Sequence, residues 1–206
     1  MGKWFAGAGL VVFLGFAVGG CSVLSFGWSS YNNLVTSSNK VDAQWAQVEN
    51  VYQRRADLVP NLVETVRGYA IHENETFVAV TEARAKVGQI TIGAGSVTSE
   101  NLAAFQAAQG ELSSALSRLM VVVEKYPDLK SSTLFSDLMV QMEGTENRIS
   151  VERGRYNTEA TEYNITREKF PTNVVANFFQ FGSKPYFKAE EGAKTAPKVD
   201  FKDLRK

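Results

Sequence analysis

Between Lys3 and Lys40 the chain runs for 36 residues without a single Asp, Glu, Lys or Arg. Few folds tolerate so long a charge-free run. The stretch Trp4–Trp28, WFAGAGLVVFLGFAVGGCSVLSFGW, is uncharged and predominantly apolar. As a helix it would be roughly 37 Å long, enough to cross a hydrocarbon core of ~30 Å with some tilt. Tryptophans stand at both ends, where indole rings favour the headgroup level. Residues 1–30 are therefore expected to be an N-terminal transmembrane anchor. The competing reading is a signal peptide: Met1-Gly2-Lys3 as a positive start, an apolar stretch, then Val18-Gly19-Gly20-Cys21 as a lipoprotein box with Cys21 lipidated. Apolar residues continue past Cys21 to Trp28, which favours a retained single span. Lys3 and the N-terminal amine are the only nearby positive groups, so the charge pattern places the N-terminus in the cytoplasm and the remainder outside. Gly15 and Gly19 make a GxxxG spacing that would let two spans approach closely.

The rest of the composition excludes several function classes. Lys plus Arg and Asp plus Glu are both 22, a balance that argues against nucleic acid as a partner, because phosphate binding needs a basic surplus. One Cys rules out an internal disulfide framework, and one His rules out metal sites built on several histidines. His72 lies in Ile71-His72-Glu73-Asn74-Glu75, which lacks the second histidine of a zinc-protease motif and reads as a solvated helix histidine. No nucleophile–base set can be singled out, and the expectation is no enzyme, no cofactor and no metal. Gly93-Ala94-Gly95 is not a phosphate loop, since no Gly-Lys-Ser/Thr follows it.

The soluble part is written in heptads. Leu34, Val41, Trp45, Val48, Tyr52, Val59, Leu62, Val66 and Tyr69 recur in steps of three and four, with Ser38, Arg55 and Glu73 falling in the same register. The phase slips by one after Tyr69, and Phe77, Val80 and Val87 continue it. This pattern predicts one long helix from about Tyr31 to Val87, bent at Pro60, and a loop at 88–97. Ser99 reads as an N-cap for a second helix with its seam at Leu102, Phe105, Gln109, Leu112, Leu116, Leu119, Val123 and Tyr126, ended by Pro127. A third helix begins near Ser132 with seam residues Phe135, Met142, Ile149, Tyr156, Tyr163 and Phe170, and stops at Pro171. A sustained 3.5-residue period means supercoiled helices, and short connections make neighbours antiparallel. The expected fold is all-α: a long antiparallel bundle over 31–181 of three long coiled-coil-like helices plus a short C-terminal helix, behind a transmembrane helix. The first helix would leave the membrane, the second return and the third leave again. The first exceeds the others in length, so part of it is expected to project as a stalk.

Polar residues interrupt the seam. Glu146, Asn147, Arg148 and Arg153 stand beside Thr145 and Glu152 on the third helix, and Arg54, Arg55 and Asp57 sit midway along the first. Arg54, Arg55, Glu146, Asn147, Arg148, Tyr156 and Asn157 are candidates for a buried polar network fixing register, or for an exposed interface. Thr172–Phe181, TNVVANFFQF, is expected to cap the bundle or to present a sticky patch through Phe178 and Phe179. Residues 182–206 form an extended tail, basic because from Lys184 onward seven Lys or Arg outweigh four Asp or Glu.

Several stretches together resemble the LemA family of bacterial proteins: YNNLV at 31–35, RRADLVPNLVETV at 54–66, ELSSALSRLMVVVEKYPDLK at 111–130, GTENRISVERGRYN at 144–157, EYN at 162–164, FPTNVVANFF at 170–179 and APKVDF at 196–201. The resemblance covers about residues 28–201. It implies a single N-terminal membrane helix followed by a long helical bundle, with no attributed activity, cofactor or catalytic residue. Family descriptions place the bundle in the cytoplasm, opposite to the charge pattern of this chain. A magnetosome-associated member suggests a scaffold. The expected function is thus a membrane-anchored, non-enzymatic scaffold at the bacterial inner membrane, with lipid, further copies of itself and an unknown protein as partners. The alternative is an adaptor or regulator of a membrane protease or signalling system.

Overall fold

In a computed structural model the described residues are 2–93 and 95–188, with side chains described from Ser25 onward. The expected anchor within 1–24, Cys21 and the Gly15/Gly19 pair lie outside the described side chains, as does the tail from 189 to 206. The described elements are helical: α1 Gly2–Arg67, α2 Asn74–Gln89, α3 Ser99–Val123, α4 Pro127–Lys130, α5 Thr133–Glu168 and α6 Thr172–Phe178. Among the residues searched, no helix is long and apolar enough to cross a membrane.

The single helix expected from 31 to 87 is in fact two. α1 continues through Pro60 but ends at Arg67, where Gly68 N–H reaches Glu64 C=O at 3.2 Å and Ala70 N–H reaches Val66 C=O at 2.9 Å. The chain turns over 68–73 with Ala70 fully buried, and α2 folds back along α1, so that Arg84 Nε donates to Ala56 C=O at 2.8 Å. His72 is exposed in this turn. The reversal changes every later direction. α3 runs antiparallel to α2, with Lys86–Glu111 at 2.7 Å and Lys125–Glu73 at 3.4 Å, and therefore parallel to α1. α5 returns antiparallel to α1, pairing Gln44 with Glu152 and Arg55 with Glu146. The bundle is thus an up-down-up-down array of four helices rather than three. Its C-terminal end lies beside Tyr31 of α1 rather than at the far end near Arg67.

No stalk separates the bundle from Trp28, for the same reason. Splitting the first helix shortens the outward run, and α6 packs against α1 at Tyr31, three residues beyond Trp28. Leu34, one turn on, is already fully buried.

Most seam positions are core, including Leu34, Val41, Trp45, Val48, Leu112, Leu119, Ile149, Tyr156 and Tyr163. Tyr69 and Phe170 are not: both fall at or past helix ends, where the register no longer points inward. α3 is capped by Thr98 rather than Ser99, its hydroxyl accepting from Asn101 N–H while the Asn101 side chain accepts from Thr98 N–H. The core falls into two clusters. One runs from Leu58 to Leu138 at the far end, and the other gathers Leu34 to Tyr52, from the middle of α1, with Phe105, Ile149, Tyr156 and Phe187.

Candidate functional site

A polar layer separates the two clusters. Arg55, Gln109 and Thr145, one each from α1, α3 and α5, are all buried at this level. The Arg55 guanidinium donates to Ser113 Oγ at 2.8 Å and lies 3.3 Å from Glu146 Oε2. Thr145 Oγ1 donates to Gln141 C=O at 2.8 Å. The Glu146 side chain is 60 % exposed, so this ion pair is a rim contact that orients Arg55 more than it stabilises. The expected polar group therefore divides: Arg55 and Glu146 meet, whereas Arg54, Asn147 and Arg148 are exposed on the bundle surface.

Beside this layer a cleft of about 230 Å³ opens between α1, α2 and α3, lined by Glu49, Tyr52, Arg84, Phe105 and Gln109. Neither amide atom of Gln109 has a partner there. Desolvation raises the Glu49 carboxyl above its ordinary 4.5, partly offset by the neighbouring Trp45 indole and Ile92 backbone N–H groups. A raised carboxyl pKa means that the folded state retains a proton that the unfolded state has released. Stability is therefore expected to fall as pH rises above about 4.5 through the raised value. Glu49→Gln should remove this slope, giving a higher urea midpoint at neutral pH and no gain below pH 4.5.

Tyr156 and Asn157 belong to a different structure, an asparagine clamp on the C-terminal strap. Residues 181–188 are extended and run antiparallel to α5. Asn164 Nδ2 donates to Lys184 C=O at 2.9 Å, and its Oδ1 accepts from Lys184 N–H at 2.9 Å. Asn157 repeats the pattern on Phe187, at 3.0 and 2.9 Å. A carboxamide carries donor and acceptor side by side, so it pairs with one residue of extended backbone as a strand would. The spacings agree: seven helical residues advance about 10.5 Å and three extended residues about 10 Å. Tyr163 Oη donates to Gly182 C=O at 2.8 Å, Arg153 to Lys188 C=O at 2.9 Å, and Lys184 Nζ pairs with Asp42 Oδ1 on α1 at 2.7 Å. Phe187 is thereby held against Trp45 and Tyr156. Burial pushes the Tyr156 hydroxyl well above its usual value. Asn164 stands in the EYN stretch but not among the candidate site residues; its signal is an asparagine seven residues after Asn157, each directly following a seam tyrosine.

The third feature is the aromatic end. Phe179 meets Tyr31 at 4.8 Å and Phe178 at 5.0 Å between ring centroids. Ala176 is buried beneath them, while Phe178 and Phe179 face outward. Among the described residues no group of three His, Cys, Asp or Glu is placed to hold a metal ion.

These features define an antiparallel helical bundle with a backbone clamp and an exposed aromatic end. The chain belongs to the LemA family, whose family model matches residues 44–201. It is 30% identical over 182 residues to magnetosome protein MamQ 2 of Paramagnetospirillum magneticum, covering 80% of this chain and 67% of that protein. It is 29% identical over 174 residues to magnetosome protein MamQ of Magnetospirillum gryphiswaldense (76% and 64%), and 26% identical over 174 residues to protein LemA of Metamycoplasma hominis (84% and 75%). The chain thus spans about two thirds of the length of these magnetosome relatives.

Proposed function

We propose that this chain is a membrane-anchored, non-enzymatic helical scaffold of the bacterial inner membrane. In this reading residues 1–30 are a retained single span, 31–181 the working bundle and 182–206 a basic tail whose first residues, 182–188, are the strap clamped onto that bundle, and copies of the chain associate with each other or with a partner protein. The observation that carries it is the charge-free run from 4 to 39, which lies in the same unbroken helix, α1, as the bundle residues Val41 to Val66 and so joins an apolar segment to the bundle. The relatives named as magnetosome proteins support work at a membrane compartment. Family membership supports a role without catalysis, since neither family name denotes an enzyme.

Alkaline carbonate extraction of membranes tests the anchor. The full chain is expected to stay with the membrane pellet and a chain lacking 4–28 to be released. Full release of the intact chain contradicts the reading. Mass spectrometry of the pelleted protein separates the two anchors: an intact N-terminus fits the span, and a lipidated N-terminal Cys21 fits the lipoprotein alternative.

A further inference from the structure

The end of the bundle next to the charge-free run carries a concentration of large exposed apolar side chains. Phe170 is 83 % exposed, Phe178 79 % and Trp28 73 %, with Val174, Phe179 and Phe26 also exposed. They come from two segments more than a hundred residues apart, brought together because α5 runs back along α1 toward Tyr31 and the end of α6 packs on Tyr31. Trp28 lies one helical turn before Tyr31, about 4.5 Å along the axis. From Phe170 to Phe187 the one charged residue is Lys184, whose ammonium is paired with Asp42, and α1 carries no charge between Lys3 and Lys40. A water-facing surface with this composition is costly, and exposed apolar patches of this kind mark an occupant. Aromatic rings beside a carboxylate-free surface suit the boundary between headgroups and acyl chains.

We propose that Phe170, Val174, Phe178 and Phe179, together with Phe26 and Trp28, form a foot that docks in the headgroup–acyl boundary of the bilayer from which α1 emerges. The foot seats the bundle directly on the membrane and fixes its tilt, because contact is made at two points, α1 and α6, rather than at one. The inference rests on the anchor reading above. Its occupant is a lipid surface rather than a second copy, because the patch adjoins the charge-free run and no carboxylate lies between Phe170 and Phe187.

The test uses the full chain carrying Cys21→Ser, reconstituted in phosphatidylcholine–phosphatidylglycerol vesicles, with a nitroxide on a single introduced cysteine. The sites are Val12→Cys in the charge-free run, Phe178→Cys and Val174→Cys in the foot, and Ile71→Cys at the exposed far turn. The foot positions are exposed, so their substitution leaves the core intact. Collision with oxygen is expected to exceed collision with a water-soluble nickel chelate at 12, 174 and 178, and the order should reverse at 71. Nickel-dominated collision at 174 and 178 with oxygen-dominated collision at 12 overturns the foot and leaves the anchor standing. Nickel-dominated collision at 12 overturns both. Protection of 178 from both reagents, with spin–spin broadening that disappears on dilution with unlabelled chain, identifies a second copy as the occupant and overturns the lipid assignment.

Discussion

Trp45→Ala is expected to be the most destabilising single substitution in the bundle. Trp45 is fully buried, and its ring lies edge-on to Phe105 and Tyr156, at 5.5 and 5.8 Å, and nearly parallel to Phe187 at 6.0 Å. Its indole N–H donates to Ile92 C=O at 3.1 Å, which ties the 90–98 loop to α1. One side chain therefore joins α1, α3, α5, the loop and the strap. Truncating a buried aromatic of this size costs about 3–5 kcal/mol, because the surrounding rings cannot close the cavity. The Ile92 carbonyl also loses its partner. In a chain of this length each kcal/mol lowers the melting temperature by about 2–4 °C. Urea unfolding followed by far-UV circular dichroism checks the expectation; a loss below about 1 kcal/mol would show that the aromatic cluster is loosely packed.

Asn164→Leu is expected to release the strap. The leucine keeps the approximate volume but leaves the Lys184 N–H and C=O without the partners that Asn164 supplies, and removes the 2.8 Å hydrogen bond to Tyr186 Oη. Stranded buried backbone groups cost about 1–3 kcal/mol each. The strap can avoid that penalty only by detaching, which would uncover Phe187 and break Lys184 from Asp42. The measurement is amide hydrogen exchange: residues 182–188 should lose protection while α2 and α3 keep theirs. Asn157→Ala should act in the same direction with a smaller effect, since Asn157 is only half-buried. The double variant should fall short of the sum, because either loss alone frees part of the same strap. Unchanged exchange in Asn164→Leu would mean that Phe187 and Lys184 hold the strap without the clamp.

The heptads of α1, α3 and α5 were legible because each seam buries the residues that carry the periodicity, from Leu34 and Trp45 to Leu119 and Tyr163. Pro127 and Pro171 marked the ends of α3 and α5 to within a few residues. The turn at 68–73 left two traces, Gly68 and the one-residue phase slip after Tyr69, but a lone glycine costs a helix only about 1 kcal/mol and does not by itself end one. Merging α1 with α2 then reversed the directions of α3 and α5 and created the expected stalk. Arg55 and Glu146 were found because charges in a seam need partners. The clamp was not, because the value of Asn157 and Asn164 depends on a strap that returns from twenty to thirty residues downstream, and no local pattern encodes that return. The exposed position of Phe178 and Phe179 was foreseen as one option for an aromatic run, whereas their meeting with Tyr31 depended on the correct bundle topology.

The proposed scaffold role is tested most directly by the mass of the chain as it leaves a membrane. Native mass spectrometry of the full protein ejected from lipid vesicles should give a defined species of two or more copies, or a fixed stoichiometry with one non-catalytic partner. A fixed complex with a single membrane protease or kinase would favour the adaptor role instead. A strictly monomeric species, with no partner at any protein concentration, would contradict a scaffold.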